Sequence, residues 1–374
     1  MTDTWYDTLL LVVDDTMSSS LPPLLAQRDR MAARGIRLRV HDYAEVLAGI
    51  PALSDQTLAI LGFPHAFWDG HIDGVLPGPY GTTAYVQAIQ GYLRQAGAAL
   101  HTASRGTVRY LNRPEALALT REKGAAQRRL AAQGVPVPEQ LTDPTPDGIL
   151  AELGRGESLY VKAVCGSMGK GLTHLAPDRW QTNYHYDGEN LLTPAPPGGD
   201  ADWERREQWL FRDVEVGDKV FLDVLCDTRG FLFERGIGNR HEAPGHPEGS
   251  ERTEFRVTVA AAEVFAVEER NAPGNALTTR RADGGHSHAA DRTDPRARAA
   301  GQAGLAAARA LGLGYAMFDV VTDPAGAPYV VDTTAFPATS TPTDRWTDIL
   351  DLLATRTPPD LPAEPSPLDP WPAG

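Results

Sequence analysis

Residues 159–175 run Leu159-Tyr-Val-Lys162-Ala-Val-Cys165-Gly166-Ser167-Met168-Gly169-Lys170-Gly171-Leu-Thr-His-Leu175: a strand, a glycine-rich loop and a second strand. The β-branched and aromatic content of 159–164 is that of a buried strand. Gly166, Gly169 and Gly171 add positive-φ freedom and no side chains. Backbone N–H groups in such a loop can converge on an anion, and Lys170 adds a charge there. Lys162 lies inside the strand. An ammonium in an apolar run needs a partner, because burying it unpaired is costly, and a polyphosphate would provide one. A tight hairpin with an exposed lysine has the same short pattern. The stretch lacks the G-x-x-x-x-G-K-[ST] spacing of a P-loop. No helical pattern follows Gly171, as a dinucleotide fingerprint would require.

Working outward, the chain reads as α/β, turning to α+β in its C-terminal part. Residues 1–105 alternate strand patterns (8–13, 36–42, 58–61) with helical ones (21–34 and 84–96). The second helix is closed by Gly97 and followed by a short strand at 99–101. Such alternation implies a parallel sheet with helices on its faces, a Rossmann-like domain. Ligands of such sheets sit at the carboxyl ends of strands. Asp14, Asp15 and Ser18–Ser20 fall at such an end, although loop solvation alone would account for any one of them.

Pro114 opens a helix at a favoured first-turn position. A second helix carries Lys123 to Ala132 and stops at Gly134, and Val135-Pro136-Val137-Pro138 is an extended connector. Residues 176–208 are polar and irregular, a lid-like insertion packed by Trp180, Tyr184 and Tyr186. Strand patterns at 220–226 and 230–234 flank a Thr228-Arg229-Gly230 turn, and 257–259 pairs with 264–267. Residues 239–252 and 271–296 read as loops. A helix at 295–312, strands at 315–322 and 328–333, and a helix at 344–354 complete the pattern. The proline-rich tail from Thr357 reads as unstructured. The domain boundaries expected are 1–110, 111–208, 209–355 and the tail 356–374.

Composition narrows the function classes. The 374 residues are 42% apolar, enough for a real core, and carry a net charge of −14. That charge argues against non-specific nucleic-acid binding and against an anionic membrane surface. Two cysteines, Cys165 and Cys226, make no disulfide framework, so a reducing cytoplasm is expected. The acidic start lacks the basic region of a signal peptide, and no apolar run approaches the ~18 residues of a membrane span. His241, His246, His286 and His288 lack the framework of a zinc site. Cys165 ends an apolar strand with no evident base, which favours packing over nucleophilic chemistry.

Two carboxylates stand near the far end. Asp319 falls in Tyr-Ala-Met-Phe-Asp-Val-Val-Thr-Asp and Asp332 in Tyr-Val-Val-Asp-Thr-Thr-Ala-Phe-Pro. Strands joined by so short a turn pair antiparallel, which can bring the two acids together. They repel unless something positive lies between them. Magnesium is the natural candidate, since it takes hard oxygen ligands and keeps phosphates and waters as the rest. Thr334, on the same strand face as Asp332, offers a further oxygen. Asp332 could also simply end its strand.

These pieces, in this order, resemble the ATP-grasp superfamily, closest to its glutamate-ligase and glutathione-synthetase-like branch of carboxylate–amine ligases. The resemblance covers roughly 110–340. Val161-Lys162 with Gly166-Ser167-Met168-Gly169-Lys170-Gly171 is similar to the superfamily's lysine strand and phosphate loop, and Lys123 to its linker lysine. Glu254-Phe255-Arg256-Val257 is similar to its acidic-x-Arg strand. Glu269-Arg270 and Gly284-Gly285 resemble the segment bordering the acceptor. Phe231-Leu232-Phe233-Glu234 or Trp209-Leu210-Phe211-Arg212 would be the adenine-side strand, with Glu234 from the first. The superfamily's usual Glu-x-Asn metal motif is here Asp332-Thr333-Thr334.

The resemblance implies ATP and Mg2+, or Mn2+, as cofactors. It implies phosphate-binding roles for Lys123, Lys162 and Lys170, with metal on Asp319, Asp332 and Thr334. Arg256 would stabilise an acyl phosphate and Arg270 would hold the acceptor. The implied reaction joins a small carboxylate to an amine, either a free amino acid or a peptide group, with release of ADP. A homodimer or homotetramer is implied by relatives. A phosphotransferase without an amine acceptor, a ligase acting on a peptide side chain, and a nucleotide-binding protein that has lost catalysis are the alternatives.

Overall fold

The computed structural model describes residues 5–14, 21–194, 209–238, 240–242, 250–336 and 343–355. The first layer is a parallel sheet in which Thr8–Val12 lies between Arg37–His41 and Thr57–Leu61, with Arg109–Tyr110 outside the last. Thr8–Val12 and Thr57–Leu61 are buried at every position. Continuous apolar runs of this kind are what a parallel sheet covered on both faces requires. Leu10 and Val12 pack toward Tyr43, Ile89 and Leu93. Leu9 and Leu11 pack toward Met31, Trp346 and Ile349. The last helix, Thr343–Thr355, therefore returns to cover the N-terminal sheet, and Trp5 Nε1 donates to Leu353 O at 2.9 Å.

Three expectations for this domain change. The helix Thr83–Ala103 runs straight through Gly97, so no strand exists at 99–101. Gly97 serves contact rather than termination: a Cβ there would lie 2.9 Å from Pro114 Cγ, on the neighbouring helix Pro114–Thr120. The helical stretch 21–34 is two pieces, Leu21–Leu25 and Arg28–Ala33. Asp14 is not merely a solvated loop residue, because it accepts from Phe67 N at 3.2 Å. Asp15 and Ser18–Ser20 lie outside the described residues.

The second layer is an antiparallel sheet in the order Arg212–Val214, Trp180–Thr182, Leu172–Leu175, Leu159–Ala163, Phe231–Arg235. Two of its strands, Arg212–Val214 and Phe231–Arg235, come from beyond residue 208. Residues 220–226 are not a strand but part of the helix Lys219–Asp227. Asp218 caps it by accepting from Phe221 N at 3.1 Å, and Phe221, Leu222 and Leu225 fall inward at helical spacing. The β-branched Val220 and Val224 had obscured that period. The lid expected over 176–208 is, as far as residue 194, folded chain: Trp180 is fully buried with its ring 6.3 Å from that of Phe221. Residues 195–208 lie outside the described residues.

The third layer is an antiparallel sheet in the order His286–Ala289, Glu263–Pro273, Ser250–Ala260, Tyr315–Thr322, Pro328–Thr334, with Arg240–Glu242 also paired to Ser250–Ala260. The strand pair expected at 257–259 and 264–267 is thus the core of a hairpin of two 11-residue strands. The loop expected at 271–296 contains the edge strand His286–Ala289. The helix Pro295–Leu311 covers one face with small residues, and a Cβ on Gly304 would lie 2.7 Å from Val257 Cγ1. His246 and the tail from 356 lie outside the described residues, and none of the described helices is long and apolar enough to cross a membrane.

Asn112 ties the first layer to the third. Its Nδ2 donates to Tyr315 O (2.7 Å) and Ala335 O (2.6 Å), and its Oδ1 accepts from Gly314 N (2.9 Å) and Tyr315 N (3.0 Å). The buried amide thereby uses its full hydrogen-bonding capacity.

Candidate active site

One face of the third sheet is covered by helix, so period-two alternation sends the other set of side chains toward the central sheet. Phe255 and Val257 point into the core; Glu254 and Arg256 do not. Register places Arg256 opposite Asp319, and Asp319 opposite Asp332. A one-residue shift just after Asp319 keeps Val330 buried while leaving Asp332 aligned with its partner. The acids expected to approach each other are therefore directly opposed. Thr334 lies on the same face, opposite Met317.

Arg256 grips Asp319 with both arms, Nε to Oδ1 at 2.7 Å and Nη2 to Oδ2 at 2.8 Å. Arg270 stands behind them, its Nη1 3.6 Å from Glu254 Oε1 and 4.0 Å from Asp319 Oδ1. Burial pushes the Asp319 carboxyl up, but Arg256 and Arg270 outweigh it and hold the group below the usual carboxylate range. For Arg256, burial works the other way and the charge of Asp319 overrides it, raising the guanidinium above its ordinary value. Glu254 lacks so close a cation. Burial, with the charge of Asp319, pushes it up to about 7.

Lys123 begins the helix Lys123–Ala132, which Glu122 caps by accepting from Ala125 N at 2.7 Å. That placement brings the Lys123 ammonium onto Asp332 as an ion pair. Lys162 reaches across from the central sheet, with its Nζ 2.6 Å from Glu234 Oε2 and donating to Val331 O at 3.1 Å. Its partner inside the apolar strand is a carboxylate of the same protein. Burial lowers the Lys162 pKa, and Glu234 and then Asp332 more than restore it, leaving the net above its ordinary value. Gln127 Nε2 completes the cluster with a 2.6 Å bond to Glu234 Oε1.

The glycine-rich loop closes one end. Met168, Gly169 and Gly171 all have positive φ (55°, 68° and 69°). A Cβ on Gly171 would stand 2.5 Å from Tyr184 Oη, so only glycine fits. Asn183 Nδ2 donates to Gly169 O at 2.7 Å, and Tyr80 Oη lies 3.3 Å from Ser167 Oγ. Met168 itself is exposed. The loop is thus pinned at Ser167 and Gly169, with Met168 exposed between them. Lys170 Nζ lies 5.6 Å from the Tyr80 ring centroid and 5.8 Å from that of Trp209.

Of the two strands considered for the adenine side, Phe231–Arg235 borders Lys162 and delivers Glu234. Trp209 is buried against Tyr80 and Tyr184, and Arg212–Val214 is on the far edge of the sheet. Among the described residues no three His, Cys, Asp or Glu side chains gather as a metal group. The opposed pair Asp319 and Asp332 nevertheless suits magnesium, which commonly binds through one or two carboxylates and takes phosphate oxygens as further ligands. Sequence reasoning gave no role to Gln127, Arg121 or Asn112, although Asn112 opens the stretch Asn112-Arg-Pro-Glu-Ala-Leu117 that resembles the segment before the superfamily's ATP site. It also missed Tyr80, whose only cue was Gly78-Pro79-Tyr80-Gly81 after a loop.

A parallel N-terminal sheet, a central antiparallel sheet with a glycine-rich loop, and a C-terminal sheet facing it across a charged cleft make up the ATP-grasp fold. No protein-family model matches the sequence, and no curated protein matches it either. Solved structures do match. ATP-grasp ligase PsnB, complexed with a phosphomimetic variant of its minimal precursor, Mg and ADP, is 14% identical with a TM-score of 0.53, over 93% of this chain and 99% of that one. D-cycloserine synthetase DcsG is 14% identical with a TM-score of 0.52, over 92% and 99%. A Chryseobacterium gregarium RiPP-associated ATP-grasp ligase, in complex with ADP and a leader and core peptide, is 11% identical with a TM-score of 0.51, over 93% and 95%.

Proposed function

We propose that this chain is an ATP-dependent carboxylate–amine ligase that works through an acyl phosphate and releases ADP and phosphate. The observation that carries this is the register of Arg256, Asp319 and Asp332 in one row, facing Lys123 and Lys162. The ATP-grasp ligases of like fold, solved in complex with ADP, Mg or peptide, support it. The acid and amine would be amino-acid-like molecules or groups of a peptide.

Asp319 and Asp332, with Thr334 beside them, would hold magnesium, which supplies charge neutralisation at the phosphates. The rest falls to the chain's own residues. Lys162 and Lys123 are aimed into the cleft and can turn from Glu234 and Asp332 toward phosphate oxygens. The glycine-rich loop offers backbone N–H groups to the same anion. Arg256, held rigid by its two bonds to Asp319, places positive charge where the acyl phosphate forms. Arg270 lies one step further along the face, where the incoming amine would approach. Positioning and charge stabilisation suffice, because phosphoryl transfer needs little covalent help from protein.

The test is ADP release over a panel of small acids paired with amines, with mass spectrometry of the product. Replacing the amine by hydroxylamine should trap a hydroxamate. Phosphorylated product without a hydroxamate would indicate a phosphotransferase instead.

A further inference from the structure

Arg121 lies outside the carboxylate cluster and has no role in it. It follows the helix Pro114–Thr120 and projects toward the N-terminal domain, where its guanidinium carbon lies 5.4 Å from the Phe63 ring centroid and 5.3 Å from that of Trp68. Both rings follow the carboxyl end of the strand Thr57–Leu61, where ligands of parallel sheets collect. Arg121 Nη2 donates to Cys165 O at 3.2 Å, the residue that opens the glycine-rich loop. Its Nε is buried with no partner, and no carboxylate among the described residues pairs with it. Other arginines of the cleft behave differently: Arg256 and Arg270 each face an acid.

A guanidinium stacked on aromatic rings holds its donors in one plane, and the Nε edge, with the second Nη2 hydrogen, has the geometry that takes a carboxylate in a two-point grip. A donor buried without an acceptor calls for an explanation, and a ligand supplying the acceptor is one. We propose that Arg121 anchors a carboxylate of the substrate, seated between Phe63, Trp68 and the first residues of the glycine-rich loop. The inference rests on the ligase reading and adds where the substrate sits: on the N-terminal side of the loop, away from Asp319 and Asp332. The carboxylate could belong to the acid that is activated or to an amino acid serving as the amine.

The test is calorimetric titration of the full chain, loaded with Mg2+ and AMPPNP, with two sets of probes. Acetate and propionate stand for the acid, glycine and L-alanine for the amino acid, and acetamide and glycinamide are the uncharged controls. The wild-type chain should bind one carboxylate set and neither amide. Arg121→Gln should weaken that binding at least tenfold while AMPPNP affinity is unchanged. Arg121→Lys, which keeps the charge and the ring contact but not the fork, should weaken it as well, which a merely structural role would not do. The set that responds identifies the source of the carboxylate. Equal carboxylate affinity in the wild type and Arg121→Gln, or no carboxylate binding by the wild type, overturns the proposal and leaves the ligase reading standing. Failure of the wild type to bind AMPPNP overturns both.

Discussion

Lys162 and Glu234 sit diagonally across two neighbouring antiparallel strands and pair at 2.6 Å, with 18% and 1% of their side chains exposed. Removing the lysine alone leaves Glu234 as a buried, unmatched anion, hydrogen-bonded to Gln127. Lys162→Met should therefore lower unfolding free energy by about 3–5 kcal/mol. Adding Glu234→Leu should restore most of it, while AMPPNP binding stays lost in both. Urea denaturation and nucleotide titration of the two variants check this; a fully stable Lys162→Met would contradict it.

Asp319→Asn preserves shape but removes the anion that Arg256 grips and one of the two carboxylates proposed to hold magnesium. ADP formation should fall on the order of 10²-fold or more, and the magnesium concentration needed for half-maximal rate should rise. The readout is rate against magnesium. Wild-type turnover in this variant would refute the metal assignment.

Glu254 gives the ligand-free chain a pH dependence whose sign is fixed. Burial raises its folded pKa to about 7, above the ordinary glutamate value of 4.5. The group's contribution is complete below the lower value and is lost as pH rises through the upper one. Denaturation midpoints across that window should fall more in wild type than in Glu254→Gln. A difference between the two that stays constant with pH would rule out the assignment.

Gly169 and Gly171 share a left-handed conformation but not its surroundings. Alanine at either should cost about 1–2 kcal/mol for the backbone alone. At Gly169 the new Cβ meets the flexible Arg280 side chain at 3.0 Å. At Gly171 it meets Tyr184 Oη, which is held in place by a 2.6 Å bond to Tyr80 O. Thermal midpoints should rank wild type, Gly169→Ala, then Gly171→Ala.

Much of this was legible in the sequence, for physical reasons. The stretch 159–175 shows its hairpin because apolar alternation and three glycines act locally. Asp319 and Asp332 show their pairing because a five-residue turn leaves little choice of register. The helix at 219–227 was hidden by valines that suit a strand, and its Asp218 cap was the better signal. Gly97 looked like a helix stop because its true role, contact with Pro114, is set by tertiary packing. The same holds for Lys162: sequence says a partner is needed, but only the fold brings Glu234 from 72 residues further along the chain. Arg121 and Asn112 act through neighbours distant in sequence, so no spacing could reveal them.

Along the row Arg256, Asp319, Asp332, Lys123, each charge is matched by another of the same chain. Admitting a nucleotide is then a swap of counter-ions, much as in an exchange resin, and not a simple attraction toward a bare positive surface. Affinity should consequently respond steeply to how much free magnesium is present to take Asp319 and Asp332, and only weakly to monovalent salt.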